Sequence, residues 1–173
     1  MNVEESVAKE SRPLLGADIA VRSDQTFTGN LRDIIHPALG DTSKLVFSEK
    51  IELETTLFDT SGKTGLVKIV IVDENYPMRS VFDRKILPGV ADASTGISVT
   101  QNVIDRFVVD GKLTLDDQKF TITAVIQESS ELGIGFGDEG YLVILPKKLS
   151  EKLSFLERGA RYERNLLINT SEE

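Results

Sequence analysis

The stretch LVKIVIVDENYPMR, residues 66–79, constrains the fold more than any other part of this chain. Its first seven residues are apolar and mostly β-branched except for Lys68, and β-branched side chains favour the extended backbone of a strand. A strand as continuously apolar as this is typical of strands covered on both faces, so we expect it in the centre of a sheet. Pro77 lacks the N–H that another ladder hydrogen bond needs, which predicts that the chain leaves the sheet here for a separate lobe.

Length and composition exclude several classes of protein. The 173 residues fit one domain or two small subdomains that share a core. The formal charge of −8 argues against a nucleic-acid partner, since neutralising phosphates takes an excess of clustered Lys and Arg. The absence of cysteine excludes disulfides, thiolate nucleophiles and Cys-ligated zinc. The sequence has neither an apolar run of about 18 residues nor a signal peptide, so we expect either a cytoplasmic protein or one whose membrane segments lie outside this sequence.

The N-terminal part alternates strand and helix patterns. Residues 17–22 have the alternation of a strand, and residues 28–39 place several apolar side chains on one face of a helix. Residues 44–58 predict one long strand, or two short ones with a slip near residues 48–50. The turn-rich segment 59–65 joins it to the apolar strand as a hairpin. This order of strand, helix, strand and strand suits an α+β layer with the helix packed on the sheet.

The rest of the chain predicts an irregular region and then a second series of elements. Residues 78–97 contain several Pro and Gly breaks, so we expect few regular elements there. The later elements are a helix at 98–107, a hairpin of 112–115 with 120–126, a strand at 141–145, a helix at 147–156 and a strand at 162–168. We expect the last strand to return to the sheet formed by the first.

Five segments resemble one family when they are taken together and in order. They are LLGADIAVRS (14–23), LVKIVIVDENYPMR (66–79), SVTQNVIDRF with DGKLTLDDQKFTITAVI (98–126), YLVILPKKL (141–149) and GARYERNLLI (159–168). In this spacing they resemble the large extracytoplasmic domain of FtsX-like, MacB-type ABC transporter permeases, and most closely the YbbP-like subgroup of predicted permeases. The chain departs from the subgroup at Ser80, where Gly is frequent, and in the glycine-heavy loop at residues 133–140.

The resemblance implies an α+β fold of two parts. Residues 14–75 and 140–169 would form a porter-like layer built from both chain ends, residues 76–139 an inserted, smaller β-rich lobe, and residues 1–13 a membrane-proximal helical stub. This is the MacB-like periplasmic core domain. It further implies that the junctions before Ala17 and after Ile168 lie close together, facing the membrane.

The resemblance also implies a function without chemistry in this chain. Such a domain lies on the extracytoplasmic side of the bacterial cytoplasmic membrane, in the periplasm, and transmits ATP-driven motion of the membrane helices to a cargo or partner outside the membrane. Its partners would be its own transmembrane helices, a cytoplasmic ATP-binding subunit and an unknown extracytoplasmic cargo or protein. We expect no catalytic residues, cofactor or metal, since the ATPase is a separate subunit or domain.

Two pairs of adjacent carboxylates are candidate sites. Asp73 and Glu74 end the apolar strand, and Asp116 and Asp117 lie in the predicted hairpin turn. Converging carboxylates can bind a divalent cation or perform acid and base catalysis, but neighbours on a strand point to opposite faces. The alternative function is a free-standing cytoplasmic enzyme or binding protein with an acidic pocket, and binding a divalent cation is one use that such a pocket could have. This alternative requires all four carboxylates to converge.

The favoured interpretation of the first pair is mechanical. Together with the residues that follow, Asn75, Tyr76 and Pro77, Asp73 and Glu74 would form the hinge between the layer and the inserted lobe.

The remaining candidate residues are three arginines, one histidine and a glycine-rich run. Arg158, Arg161 and Arg164 would contact anionic headgroups or a partner if a membrane helix follows them, and local ion pairs at a solvated turn explain them equally well. The single histidine, His36, lacks the partners of a triad or a common zinc site. The GIGFG run in residues 133–140 precedes a strand rather than a helix, which favours a connecting or interaction loop over a phosphate loop.

Overall fold

Strands make up most of the chain that the structure describes. A computed structural model describes residues 17–23, 45–78, 82–132, 140–154 and 162–170. The strands are β1 (Ile19–Ser23), β2 (Leu45–Phe58), β3 (Thr64–Val72), β4 (Phe82–Ile86), β5 (Ile97–Thr100), β6 (Lys112–Leu115), β7 (Gln118–Ser129), β8 (Leu142–Pro146) and β9 (Tyr162–Thr170).

The helices of this part of the chain are short. They are α1 (Gln101–Phe107), α2 (Lys147–Ser150) and two 3-10 turns, Ala93–Thr95 and Ser130–Leu132. Within the described ranges, no helix has the length and apolar composition that crossing a membrane requires.

The strands form one mixed sheet. Their order is β1-β9-β2-β3-β8-β5-β7-β4, with β6 paired to β7 outside this path. The pairs β3·β8 and β5·β7 are parallel, and the other pairs are antiparallel. β3 lies between β2 and β8, which confirms the prediction of a central strand.

Burial on both faces explains the continuous apolar sequence of β3. Val67, Ile69 and Ile71 pack in the larger apolar cluster, with α1, β6 and Leu153. Val70 and Val72 alternate with them and pack in a smaller cluster on the opposite face, with residues of β7 and β8. Because successive strand side chains point to opposite faces, a strand covered on both sides has apolar residues at consecutive positions, as residues 69–72 do here.

The predicted α+β class is wrong. The described residues form a predominantly β structure with one nine-stranded sheet and no helical layer. The expected helix at 98–107 is in fact a buried strand, β5, followed by the two-turn helix α1. Val99 and Val103 are both fully buried, and their spacing of four fits a helix face even though only Val103 is helical. The predicted helix at 28–39 lies outside the described residues.

Two other expectations also need correction. The segment 78–97, expected to have few regular elements, contains the edge strand β4, four of whose five residues are exposed and three of those charged. An edge strand of this kind lacks the apolar alternation that sequence patterns detect. The helix predicted for residues 147–156 ends at Ser150.

Both predicted hairpins are present. β2 is a single strand in continuous register with β3 and β9, without the slip that the sequence left open. β6 and β7 meet at Asp116 and Asp117, whose positive φ angles of 50° and 62° form the tight turn.

The division into a layer and an inserted lobe stays a prediction. The predicted layer and the predicted lobe share the sheet, because β8 of the layer pairs with β5 of the lobe through Ser98–Ile144 and Val99–Val143. They also share the larger apolar cluster, which contains residues of β2 and β3 as well as residues of α1 and β6.

Candidate functional site

The two ends of the described chain lie side by side. β1 pairs with β9 in a register that places Ile19 opposite Ile168, and the backbone N–H of Asp18 donates to Asn169 Oδ1 at 2.8 Å. β9 in turn pairs with β2, so both ends are fixed to the sheet. The predicted closeness of the two junctions is confirmed.

The segment predicted as a hinge is held against β2. Asp73 accepts hydrogen bonds from the Ser48 hydroxyl at 2.7 Å and from the backbone N–H of Glu49 at 2.6 Å. Asn75 donates from its side chain to the Phe47 carbonyl at 2.8 Å. Glu74 is exposed, so the two adjacent carboxylates have different roles. These contacts join the end of β3 to the beginning of β2.

Tyr76 packs against the smaller cluster, whereas Pro77 is exposed. The Tyr76 ring packs against Phe82 with the ring centres 5.7 Å apart, and its hydroxyl donates to Glu131 Oε1 at 3.3 Å. Burial, followed by the negative charge of Glu131, raises the pKa of Tyr76 far above its ordinary value. The Tyr76–Pro77 peptide bond is cis. Hinge motion at these residues stays a prediction.

Four charged side chains form a closed ring on the same face of the sheet. Lys50 Nζ lies 2.7 Å from Glu52 Oε1 and 2.9 Å from Glu131 Oε1. Lys68 Nζ lies 2.8 Å from Glu52 Oε2 and 3.4 Å from Glu131 Oε2. Each carboxylate therefore contacts both lysines, one through each oxygen, and the ring is neutral overall.

The surroundings of Lys50 and Glu52 favour the charged forms of both side chains. Burial opposes the charged form of Lys50, but the charges and hydrogen bonds of Glu131 and Glu52 outweigh it and raise the pKa of Lys50. Burial likewise opposes the charged form of Glu52, and the two lysines outweigh it and lower the pKa of Glu52. Mutual neutralisation is what makes this partly buried cluster stable.

Sequence patterns did not identify the ring. Its one signal is Lys68, a lysine inside an otherwise apolar strand, because a lysine buried in a sheet needs a carboxylate partner. Glu131 lies 63 positions away in a 3-10 turn, and nothing in its local sequence marks it as that partner.

A second charged cluster lies at the tip of the β2–β3 hairpin. Asp59 Oδ1 accepts from the Ser61 hydroxyl at 2.7 Å and from the backbone N–H groups of Ser61 and Lys63, each at 2.9 Å. Arg106 of α1 approaches Asp59 at 3.4 Å and donates to the Tyr141 hydroxyl at 2.7 Å. These contacts fix the hairpin tip to α1 and to the beginning of β8.

Arg164 forms an ion pair within the sheet. Its guanidinium lies 2.9 Å from Glu49 Oε1, and Lys147 contacts the other oxygen of the same carboxylate. It also lies 5.4 Å from the centre of the Tyr162 ring. Of the three arginines predicted to contact headgroups or a partner, Arg158 and Arg161 lie outside the described residues, as does His36.

The structure does not bring the four acidic residues of the alternative function together in one cluster. Asp116 accepts from the backbone N–H and hydroxyl of Ser154 at 2.5 and 2.7 Å, while Asp73 binds the start of β2. Asp117 and Glu74 are exposed. Across the ranges that the structure covers, no three His, Cys, Asp or Glu side chains are grouped to hold a metal. No observation therefore favours an acidic catalytic or cation-binding pocket.

A groove of about 460 Å³ lies beside the β6–β7 hairpin. It is lined by Phe107, Val109, Asp110, Lys112, Thr114 and Lys119. Its charged side chains are all exposed, so the groove lacks the converging, desolvated polar groups that mark a specific ligand site.

Comparisons with known proteins identify no family. No protein-family model matches the chain, and no curated protein matches it. Among solved structures, a crystallised domain of a candidate permease protein from Porphyromonas gingivalis is 14% identical, with a TM-score of 0.39. The match covers 74% of this chain and 57% of that one, so it spans little more than half of the neighbour's length. A likeness of this size establishes neither a shared fold nor a shared function.

Proposed function

We propose that this chain is a non-catalytic, extracytoplasmic domain of a membrane permease of the FtsX-like ABC type that it resembles in sequence. In this proposal, membrane helices continue from both ends of the domain, and a separate cytoplasmic ATPase moves them. The domain carries that motion to a cargo or protein partner outside the membrane.

The pairing of β1 with β9 is the observation that supports this proposal most directly. A domain inserted between two membrane helices must have both of its ends on the side that faces the membrane. The register Ile19–Ile168 places the first and last described strands next to each other, and neighbouring strands are about 5 Å apart. Two helices connected to these strands would therefore move together.

The length of β2 supports a role in transmitting motion. Its first residue, Leu45, lies opposite Thr170 near the chain ends, and its last, Phe58, adjoins the hairpin turn. Its 14 residues extend over about 45 Å at roughly 3.3 Å per residue. Hydrogen bonds to β3 and β9 stiffen it, so a displacement at the chain ends reaches the hairpin tip.

Cysteine labelling in the full-length parent protein tests the location. The chain has no cysteine, so Thr60→Cys in the exposed β2–β3 turn gives one defined thiol once any cysteines elsewhere in the parent are replaced. We expect a membrane-impermeant maleimide to label this thiol in intact spheroplasts as completely as after lysis.

The matched control is Val67→Cys, at a fully buried position of β3. It should stay unlabelled in both samples until the protein is unfolded, which shows that labelling reports exposure of a folded domain. Labelling of Thr60→Cys only after lysis would place the domain in the cytoplasm and overturn the proposal.

A further inference from the structure

The four charged residues of the ring come from two different parts of the chain. Lys50, Glu52 and Lys68 all belong to the β2–β3 hairpin, whereas Glu131 comes from the 3-10 turn after β7. Without Glu131, the ring itself would consist of two lysines and one carboxylate, with a net charge of +1 at a site of low exposure. The lysine side chains are 11% and 12% exposed.

Glu131 fits this site as a bound ligand would. Its side chain is 5% exposed, and its two carboxylate oxygens go to different lysines. The Tyr76 hydroxyl donates to the same carboxylate at 3.3 Å, and Lys68 also contacts the Glu131 backbone carbonyl at 3.2 Å. Ser129 accepts from the Glu131 backbone N–H at 3.1 Å, which orients the turn.

The surroundings make the missing charge costly. The smaller apolar cluster lies on the same face of the sheet, and its buried residues are Val70, Val72, Ile126, Leu142 and Ile144. Without Glu131, both lysines would share the single carboxylate of Glu52 in a site from which water is largely excluded, which is unfavourable. The hairpin therefore needs one carboxylate here, and the rest of the chain supplies it.

We propose that Lys50, Glu52 and Lys68 form a carboxylate-binding socket and that Glu131 occupies it as an intramolecular ligand. This contact holds the end of β7, and with it the edge strand β4, against the β2–β3 hairpin. We call this contact the latch. The inference does not depend on the proposed membrane location, because it concerns contacts within the chain.

Replacement of Glu131 by alanine, followed by addition of acetate, tests the socket. Glu131→Ala removes a CH₂ group and the carboxylate, which are close in size and charge to acetate itself. We expect the variant to lose roughly 10 °C in Tm. Sodium acetate should then raise the Tm of the variant in proportion to the logarithm of its concentration, as a ligand of the folded state does.

The controls separate binding from salt effects. Sodium chloride at the same ionic strength should produce a smaller rise, and acetate should not stabilise Glu128→Ala, whose side chain is exposed on β7 three residues earlier, beyond the effect of chloride. Equal effects of acetate and chloride on Glu131→Ala would overturn the socket. If the variant folds only with acetate, the socket is supported.

Hydrogen exchange of Glu131→Gln tests the latch even if the alanine variant fails to fold. Glutamine keeps the size of the side chain but removes its charge. We expect faster exchange at amides of β4 and the end of β7, where the two strands pair, with β3 and β8 unchanged. Unchanged exchange, or uniformly faster exchange in every strand, would overturn the latch.

Discussion

At the scale of single residues, Asp59 shows how one carboxylate organises a turn. It accepts three hydrogen bonds from Ser61 and Lys63 and faces Arg106. The hydrogen bond from the Ser61 hydroxyl is the largest influence on its pKa. This hydrogen bond lowers the pKa, partial burial acts in the opposite direction, and the backbone N–H groups and Arg106 lower the pKa further. Together they bring the pKa of Asp59 from 3.8 to about 2. The folded state therefore favours the ionised carboxylate.

This lowered pKa predicts a pH-dependent contribution to stability. Since the folded pKa lies below the unfolded one, the charge of Asp59 stabilises the fold fully above about pH 4, and this contribution is lost as pH falls towards about 2. The Tm difference between wild type and Asp59→Asn should be constant near neutral pH. It should become smaller as the pH falls from about 4 towards about 2. Asp117→Asn, at an exposed turn position, serves as the control and should show little difference throughout. A Tm difference for Asp59→Asn that is as large at pH 2 as at neutral pH would contradict this account.

Lys68 shows how far single residues can be predicted from sequence. A lysine within LVKIVIV must either be exposed or find a carboxylate, so the sequence alone poses the question. Its answer depends on Glu52 of the neighbouring strand and on Glu131 from a distant turn. Local patterns contain no information about which distant residues the topology brings together, and this is why the ring was missed.

At the scale of elements, the end of β3 divides its two carboxylates between different roles. Asp73 joins β3 to β2 through Ser48 and the Glu49 backbone, whereas Glu74 is exposed. We predict that Asp73→Ala lowers the free energy of unfolding by about 1–3 kcal/mol, because the N–H of Glu49 and the Ser48 hydroxyl lose their acceptor. Chemical denaturation measures this loss.

Glu74→Ala is the matched control for that measurement. It removes the adjacent carboxylate without removing a contact to β2, and its effect should stay within about 0.5 kcal/mol. Equal losses for the two variants would mean that the pair acts through its summed charge rather than through the hydrogen bonds of Asp73.

The elements that were predicted correctly and those that were not differ in how many sequence signals agree. Each of the β2–β3 and β6–β7 hairpins has at least one long strand, and turn residues join that strand to its partner, so two signals agree. β5 has four residues, too few to separate a strand from the helix that follows it. β4 is mostly charged because it lies at the edge of the sheet, so its pattern resembles that of a loop.

At the scale of the whole molecule, the arrangement of the sheet explains why the fold class was mispredicted. The parallel pair β3·β8 joins strands from the two halves of the chain, and β8 continues the sheet into β5. Pairings over such distances are set by tertiary packing rather than by local propensity. The closeness of the chain ends followed from the resemblance. The return of the last strand to the sheet of the first was predicted from the alternation in residues 162–168, and both predictions are confirmed.

The register of β1 and β9 can be tested directly, and the proposed function depends on this pairing. Val21 lies opposite Leu166, and opposed residues in an antiparallel pair have Cα atoms about 4.5–5.5 Å apart, within the range of a disulfide. We predict that the double variant Val21→Cys, Leu166→Cys forms an intramolecular disulfide on mild oxidation, as measured by loss of free thiols under denaturing conditions. The control pair Arg22→Cys, Leu166→Cys should oxidise far more slowly, because Arg22 and Val21 point to opposite faces of the sheet. Faster oxidation of the control pair would mean a register shifted by one residue, and no intramolecular disulfide in either variant would mean that the chain ends are not paired.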